Sequence, residues 1–204
     1  MQWHRQPAIL VLGSGRSGTS TVAKLCHTRL GICMGHILKS GDALNPSGYY
    51  EDWISHSMIQ MIVNAQAFSI DTWFDAMNYQ HQVCPAWGVK DPWILFLQHH
   101  WGMIRPGLVV YCDRSIGPTV NSWLKVWKSS SGNQNNQPPQ EVVNYYTKLT
   151  QDRQKLCEDS KNVWRNFVTI NFDTPQEEYK IVELISSKLP DWVKETIMVA
   201  AAQK

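Results

Sequence analysis

Charge of neither sign dominates this 204-residue sequence, which has 19 Lys and Arg against 17 Asp and Glu and a formal net charge of +2. A protein that coats DNA or RNA presents a dense basic face, so this balance argues against a nucleic-acid partner. It leaves room for a local positive pocket around a small polyanion. No CxxC pair occurs. The 5 cysteines, Cys26, Cys33, Cys84, Cys112 and Cys157, are scattered and odd in number, which speaks against a disulfide framework or a zinc site and for a reducing compartment. His81 and the pair His99-His100 lack the spacing and companion ligands of a metal site, so no metal is expected. Long apolar runs are also missing: Ala8 to Leu12 is too short for a signal-peptide core or a membrane span. The expectation is a cytoplasmic protein with no membrane partner.

What is present is globular material. Apolar residues make up 43% and charged residues 18%, enough for a core in one domain spanning 1–204. Ala8-Ile9-Leu10-Val11-Leu12, Leu108-Val109-Val110-Tyr111-Cys112 and Phe167-Val168-Thr169-Ile170-Asn171 read as strands, the first two apolar throughout and buried on both faces. Trp87-Gly88-Val89-Lys90 is a shorter candidate. Between them, helical spacing predicts helices from about Gly18 to Leu30, Asp52 to Phe68, Trp93 to Trp101, across Val120–Trp127, Glu141 to Glu158, Thr174 to Ser187 (Pro175 in its first turn) and Asp191 to Ala202. The polar stretch Ser129–Gln140 reads as a mobile surface loop. Strands alternating with helices predict a three-layer α/β/α fold with a central parallel sheet.

The chemistry starts at Gly13-Ser14-Gly15-Arg16-Ser17-Gly18-Thr19-Ser20, between the first strand and the first helix. A glycine-rich turn aims backbone N–H groups at phosphate oxygens, and the helix N-terminus adds partial positive charge. Thr19 and Ser20 offer hydroxyls, and Arg16 can form paired hydrogen bonds to an oxyanion. Gly13 and Gly18 keep the spacing of the GxxxxGK[ST] P-loop, but Thr19 stands in the lysine position and the cation has moved to Arg16.

Arg16-Ser17-Gly18-Thr19-Ser20 resembles the 5′-phosphosulfate loop, [KR]-S-G-T-[ST], of sulfotransferases that use 3′-phosphoadenosine 5′-phosphosulfate (PAPS). The family's second signature is an arginine after a hydrophobic strand with a serine eight positions on. Arg114 and Ser122 stand at that spacing after Leu108–Asp113. Two further stretches are similar to bacterial members: Asn45-Pro46-Ser47-Gly48-Tyr49-Tyr50-Glu51 to their NPxGYxE segment, and Lys90-Asp91-Pro92 to their KDP segment. The closing strand and helix, Val168–Asp173 and Ile181–Leu189, also fit, so the likeness covers most of the chain.

The resemblance implies a P-loop NTPase-like fold and transfer of a sulfuryl group from PAPS to an acceptor hydroxyl or amine by in-line displacement, without a metal. Gly15, Arg16, Ser17, Gly18, Thr19 and Ser20 would hold the 5′-phosphosulfate, and Arg114 and Ser122 the 3′-phosphate. Arg16 and Lys90 would stabilise charge on the leaving phosphate, and Glu51 would be the general base, with Asp91 and His36 as rivals. The sequence departs from family patterns in three places. Pro92 stands where cytosolic members carry a basic histidine. Thr21 stands where some members stack a tryptophan on adenine. The basic, glycine-rich C-terminal motif has no counterpart before Lys204. The acceptor class, a small molecule or carbohydrate, and the oligomeric state are open. A P-loop nucleotide kinase or NTPase is the runner-up, because Val109–Asp113 resembles a Walker B strand. An inactive nucleotide-binding fold-mate is the third reading.

Overall fold

A computed structural model describes residues 6–41, 48–130 and 137–202. Four strands, β1 (Ile9–Gly13), β2 (Gly88–Lys90), β3 (Leu108–Asp113) and β4 (Phe167–Asn171), form a sheet of order β2-β1-β3-β4. Every pairing is parallel, with Leu10 opposite Val89 and Val109, and Tyr111 opposite Thr169. The helices are α1 (Thr19–Arg29), α2 (Trp53–Val63), α3 (Ile70–Gln80), α4 (Ile116–Ser130), α5 (Gln140–Ser160), α6 (Glu178–Lys188) and α7 (Asp191–Ala202).

Strand periodicity sorts the core into two layers. On one face of the sheet, Ile9 and Val11 pack with Val22 and Leu25 of α1, Ile185 of α6 and Val193 of α7. On the other, Leu10 and Leu12 pack with Ile59 of α2, Trp73 and Met77 of α3, and Cys157 of α5. All five β1 residues are buried, because both faces of a parallel sheet are covered. The expected α/β layering is therefore present.

Several element boundaries differ from expectation. The helix expected to run to Phe68 stops at Val63: Asn64 caps it and Ala65 turns left-handed (φ 53°). A separate helix, α3, then begins behind Ser69, whose hydroxyl accepts from the Thr72 N–H at 3.1 Å. The helix expected over Trp93–Trp101 is two 3₁₀ stretches, Pro92–Phe96 and Gln98–Met103. The Ile94 carbonyl accepts both the Leu97 N–H (3.0 Å) and the Trp101 indole N–H (3.1 Å), so it is taken from any continuing α-helical ladder. Pro175 does not open the sixth helix, which starts at Glu178 behind Glu177. Ser129, Ser130 and Gln140 belong to helices α4 and α5, and the expected loop between them falls largely on residues 131–136, outside those described.

Candidate functional site

Parallel strands bring their carboxyl ends to one edge of the sheet, where open α/β folds place their ligands. Here that edge gathers the loop after β1, the Lys90-Asp91 step after β2 and Arg114 after β3. Between them lies a cleft of about 620 Å³, within the range of ligand sites.

The loop is built to face an anion. Gly15 (φ 79°), Arg16 (φ 58°) and Gly18 (φ 93°) all have left-handed backbone, a turn that costs a non-glycine residue free energy and that here rests on Arg16. A Cβ on Gly18 would lie 2.7 Å from the Phe172 ring, so only glycine fits. Gly18 also precedes α1 without offering a side-chain cap, and the first turn of α1 carries no acidic residue. The helix thus starts with N–H groups no side chain caps, the arrangement that attracts a phosphate or sulfate oxygen. The Ser17 hydroxyl is buried without a hydrogen-bond partner.

The two halves of the expected nucleotide signature meet. Arg16 donates from Nε to the Ser122 hydroxyl at 3.0 Å, and Arg114 donates from Nη1 to the Arg16 carbonyl at 3.1 Å. Gln154 of α5 holds the Arg114 carbonyl at 2.8 Å. Gly15, Arg16, Gly18, Thr19, Ser20, Arg114 and Ser122 all line the cleft.

Sequence reasoning missed Arg153. It rises from α5, is 6% exposed, donates to the Ser14 carbonyl at 3.2 Å and lines the cleft. Burial pushes its guanidinium below the ordinary arginine pKa, since a charged form loses hydration there. Neither Arg114 nor Arg153 makes an ion pair among the described residues, and the Nε of each is buried without a partner. No sequence signal marked Arg153, which lies 139 positions from the carbonyl it meets. Trp123 and Tyr146 were missed too. Their rings stack at 5.5 Å with 5° between planes, beside Gly15 on the cleft wall.

The cleft also carries a charge network. Lys90 Nζ donates to Glu51 Oε1 at 2.5 Å, with the two side chains only 5% and 8% exposed. Lys39 lies 4.0 Å from Glu51 Oε2. His56, on α2, binds Asp91 Oδ2 through Nδ1 at 2.8 Å and lies 3.9 Å from Glu51 Oε2. The Asp91 hydrogen bond raises the His56 pKa above its ordinary value. With Nδ1 held by Asp91, the ring nitrogen left for other partners is Nε2, and His56 lines the cleft. His56 gave no signal in the sequence, because Asp91 is 35 positions away. Glu51 and Lys90, two of the expected site residues, are thus brought into contact. Asp91, a rival base, acts instead on His56 and on the Trp93 N–H, at 2.7 Å. His36, the other rival, is not among the cleft-lining residues. Of the NPxGYxE-like segment, Asn45, Pro46 and Ser47 lie outside the described residues.

The fold brings His81 together with Cys33, His36 and Cys84, with the atoms of the four that could bind a metal all within 4.8 Å of one another. Sequence spacing did not show this grouping, because each half is one cysteine and one histidine.

No protein-family model matches the sequence, and no curated protein matches it. Among solved structures, one described as a "putative kinase" from Chloroflexus aurantiacus superposes with a TM-score of 0.46 at 11% identity, over 91% of this chain and 100% of that one. The shikimate kinase from Acinetobacter baumannii, in complex with shikimate, gives 0.43 at 14% identity, over 90% and 95%. Among the described residues, no helix is long and apolar enough to cross a membrane.

Proposed function

We propose that this protein is a sulfotransferase that moves a sulfuryl group from PAPS to an acceptor hydroxyl or amine. The observation that carries the reading is the charge of the cleft. Among the described residues, Arg16, Lys39, Lys90, Arg114 and Arg153 face it against a single lining carboxylate, Glu51, which Lys90 already engages. Such a surplus suits a polyanion. PAPS has two anionic ends: the loop from Gly15 to Ser20 would hold the 5′-phosphosulfate, and Arg114 and Ser122, joined to that loop through Arg16, would hold the 3′-phosphate. The unpartnered Nε donors of Arg114 and Arg153, two residues of the cleft wall, fit such a ligand. The stacked Trp123 and Tyr146 offer an aromatic wall to the adenine that Thr21 does not.

Little covalent chemistry is asked of the protein. The acceptor oxygen attacks sulfur in line and the S–O bond to the phosphate breaks. The electron pair goes to the leaving phosphate oxygen, where the loop N–H groups and Arg16 stabilise it. His56 takes the acceptor proton on Nε2, with Asp91 fixing the ring and favouring the imidazolium that forms. This replaces Glu51 as the preferred base. Glu51 instead holds Lys90, which contributes positive charge beside the leaving group.

The kinase reading keeps the loop but lacks two parts. Thr19 stands in place of the lysine that reaches the β/γ-phosphates. Asp113, the Walker B-like carboxylate, accepts the Tyr111 hydroxyl at 3.2 Å and is absent from the lining residues. Thermal unfolding decides between them. Adenosine 3′,5′-bisphosphate at about 100 times its Kd should add about 2.7 kcal/mol, a rise of roughly 5–10 °C, and Arg114→Ala should abolish the rise. A rise with ATP and Mg²⁺ alone would move the protein to the kinase class. No rise with either would overturn nucleotide binding.

A further inference from the structure

Outside the cleft, the molecule carries a second grouping of reactive side chains. Cys33 and His36 follow α1, in the segment whose backbone bridges to Trp87. His81 caps the C-terminus of α3, and Cys84 follows in the turn toward β2. The sequence spacing is Cys-x₂-His in the first half and His-x₂-Cys in the second. All four ligand atoms lie within 4.8 Å of one another.

We propose that Cys33, His36, His81 and Cys84 form a structural Zn²⁺ site. Three observations point to it. The donor set, two sulfurs and two imidazoles, is the one structural zinc prefers, and four protein ligands close the coordination sphere. The spacing suits a tetrahedron: Zn–S near 2.3 Å and Zn–N near 2.0–2.1 Å put ligand atoms roughly 3.4–3.8 Å apart. His36 Nε2 lies 3.8 Å from Cys33 Sγ and 3.4 Å from Cys84 Sγ. The four residues are also held by backbone that does not depend on the metal. The Cys33 N–H donates to the Ala86 carbonyl at 2.9 Å and the Cys84 N–H to the His81 carbonyl at 2.9 Å. The His36 N–H donates to Asp52 Oδ2 at 3.1 Å. His81 stacks on Trp87 at 5.3 Å with 5° between planes. Two thiolates would balance the charge of the dication. His36 is exposed and His81 and Cys84 are buried, which gives the ion a way in and a dry floor.

The placement explains what the metal would do. The Asp52 carboxylate ties the His36 and Ile37 N–H groups to the start of α2, and Glu51 precedes it. An ion joining the 33–36 segment to the 81–84 turn braces the wall on which Glu51, Lys90 and His56 stand. The ion would contact no reacting atom.

Metal content of the purified full-length protein, by inductively coupled plasma mass spectrometry, tests the site. About one zinc per chain is expected, falling to near zero in Cys33→Ser and Cys84→Ser. Because a variant without the ion can lose its fold, the wild-type chain should also be stripped with a chelator and titrated with Co²⁺. The expected result is a tetrahedral thiolate spectrum, with d–d bands and sulfur-to-cobalt charge transfer, that saturates at one equivalent and raises the unfolding midpoint. A wild-type protein that is zinc-free as purified and gives no such spectrum overturns the site. So does a Cys33–Cys84 disulfide found by thiol counting under non-reducing conditions. Neither outcome bears on the nucleotide cleft, whose bisphosphate test stands apart.

Discussion

Replacing Lys90 by methionine removes one half of a buried ion pair and keeps most of the side-chain volume. Lys90 and Glu51 are 5% and 8% exposed and 2.5 Å apart, so the variant leaves a carboxylate in a poorly hydrated wall. Breaking such a pair from one side costs about 3–5 kcal/mol. Lys39 at 4.0 Å and His56 at 3.9 Å still face Glu51, which places the loss near the lower figure, about 3 kcal/mol. At about 2–4 °C per kcal/mol for a domain of this size, the unfolding midpoint should fall by roughly 6–12 °C. The double variant Lys90→Met/Glu51→Gln removes both charges and should recover to within about 1 kcal/mol of wild type, because replacing a whole buried pair is nearly neutral. A double-mutant cycle by urea denaturation followed by circular dichroism reads this directly. A coupling of at least about 2 kcal/mol is expected, larger by whatever Glu51→Gln costs alone, where independent sites would give less than about 0.5. Additive losses would refute the reasoning, since they would mean that the two charges do not compensate each other.

Two shorter predictions follow from the cleft. If His56 is the base, sulfuryl transfer needs it neutral, so activity should rise with pH through a midpoint above the ordinary imidazole value of about 6.5. Asp91→Asn should move that midpoint down, because the hydrogen bond that raises it is weakened; a pH–rate profile unchanged by the substitution would remove His56 from the role. The same shift has a stability sign. The charged His56–Asp91 pair stabilises the fold fully below the unfolded imidazole pKa, and this contribution is lost as pH rises through the raised folded value. Gly18→Ala forces a side chain into left-handed backbone against the Phe172 ring. It should cost about 1–3 kcal/mol and abolish bisphosphate binding, measured by calorimetry; retained affinity would show that the loop does not face the phosphates.

The fold was legible where the core dictates the pattern. Ile9–Leu12 and Leu108–Cys112 are apolar throughout because both faces are covered, and that pattern is carried by consecutive residues. Helix α3 was not among the expected elements, although Ile70, Trp73, Phe74 and Met77 stand at helical spacing and are all buried. The end of the preceding helix was misplaced because nothing local announces that Ala65 turns left-handed. The 3₁₀ stretches after Asp91 could not be read from periodicity. They arise where an indole seven positions on competes for the Ile94 carbonyl.

The site divides along the same line. The loop and Arg114–Ser122 are recognisable because their chemistry sits on neighbouring residues, or at one fixed interval across a strand and the start of a helix. Arg153, the His56–Asp91 pair and the Cys33–His36–His81–Cys84 group have no such marker. Each joins residues 35 or more positions apart, and each exists only because the fold draws distant segments together. The metal-like group shows the limit most clearly. A Cys-x₂-His pair is commonplace in isolation, and so is His-x₂-Cys. Their meaning comes from the bridge that lays Cys33 beside Trp87, which fixes how far each half is from the other. A search for paired cysteines alone passes over such a site, whereas a search for two mixed pairs flanking segments that pair in a parallel sheet would find it.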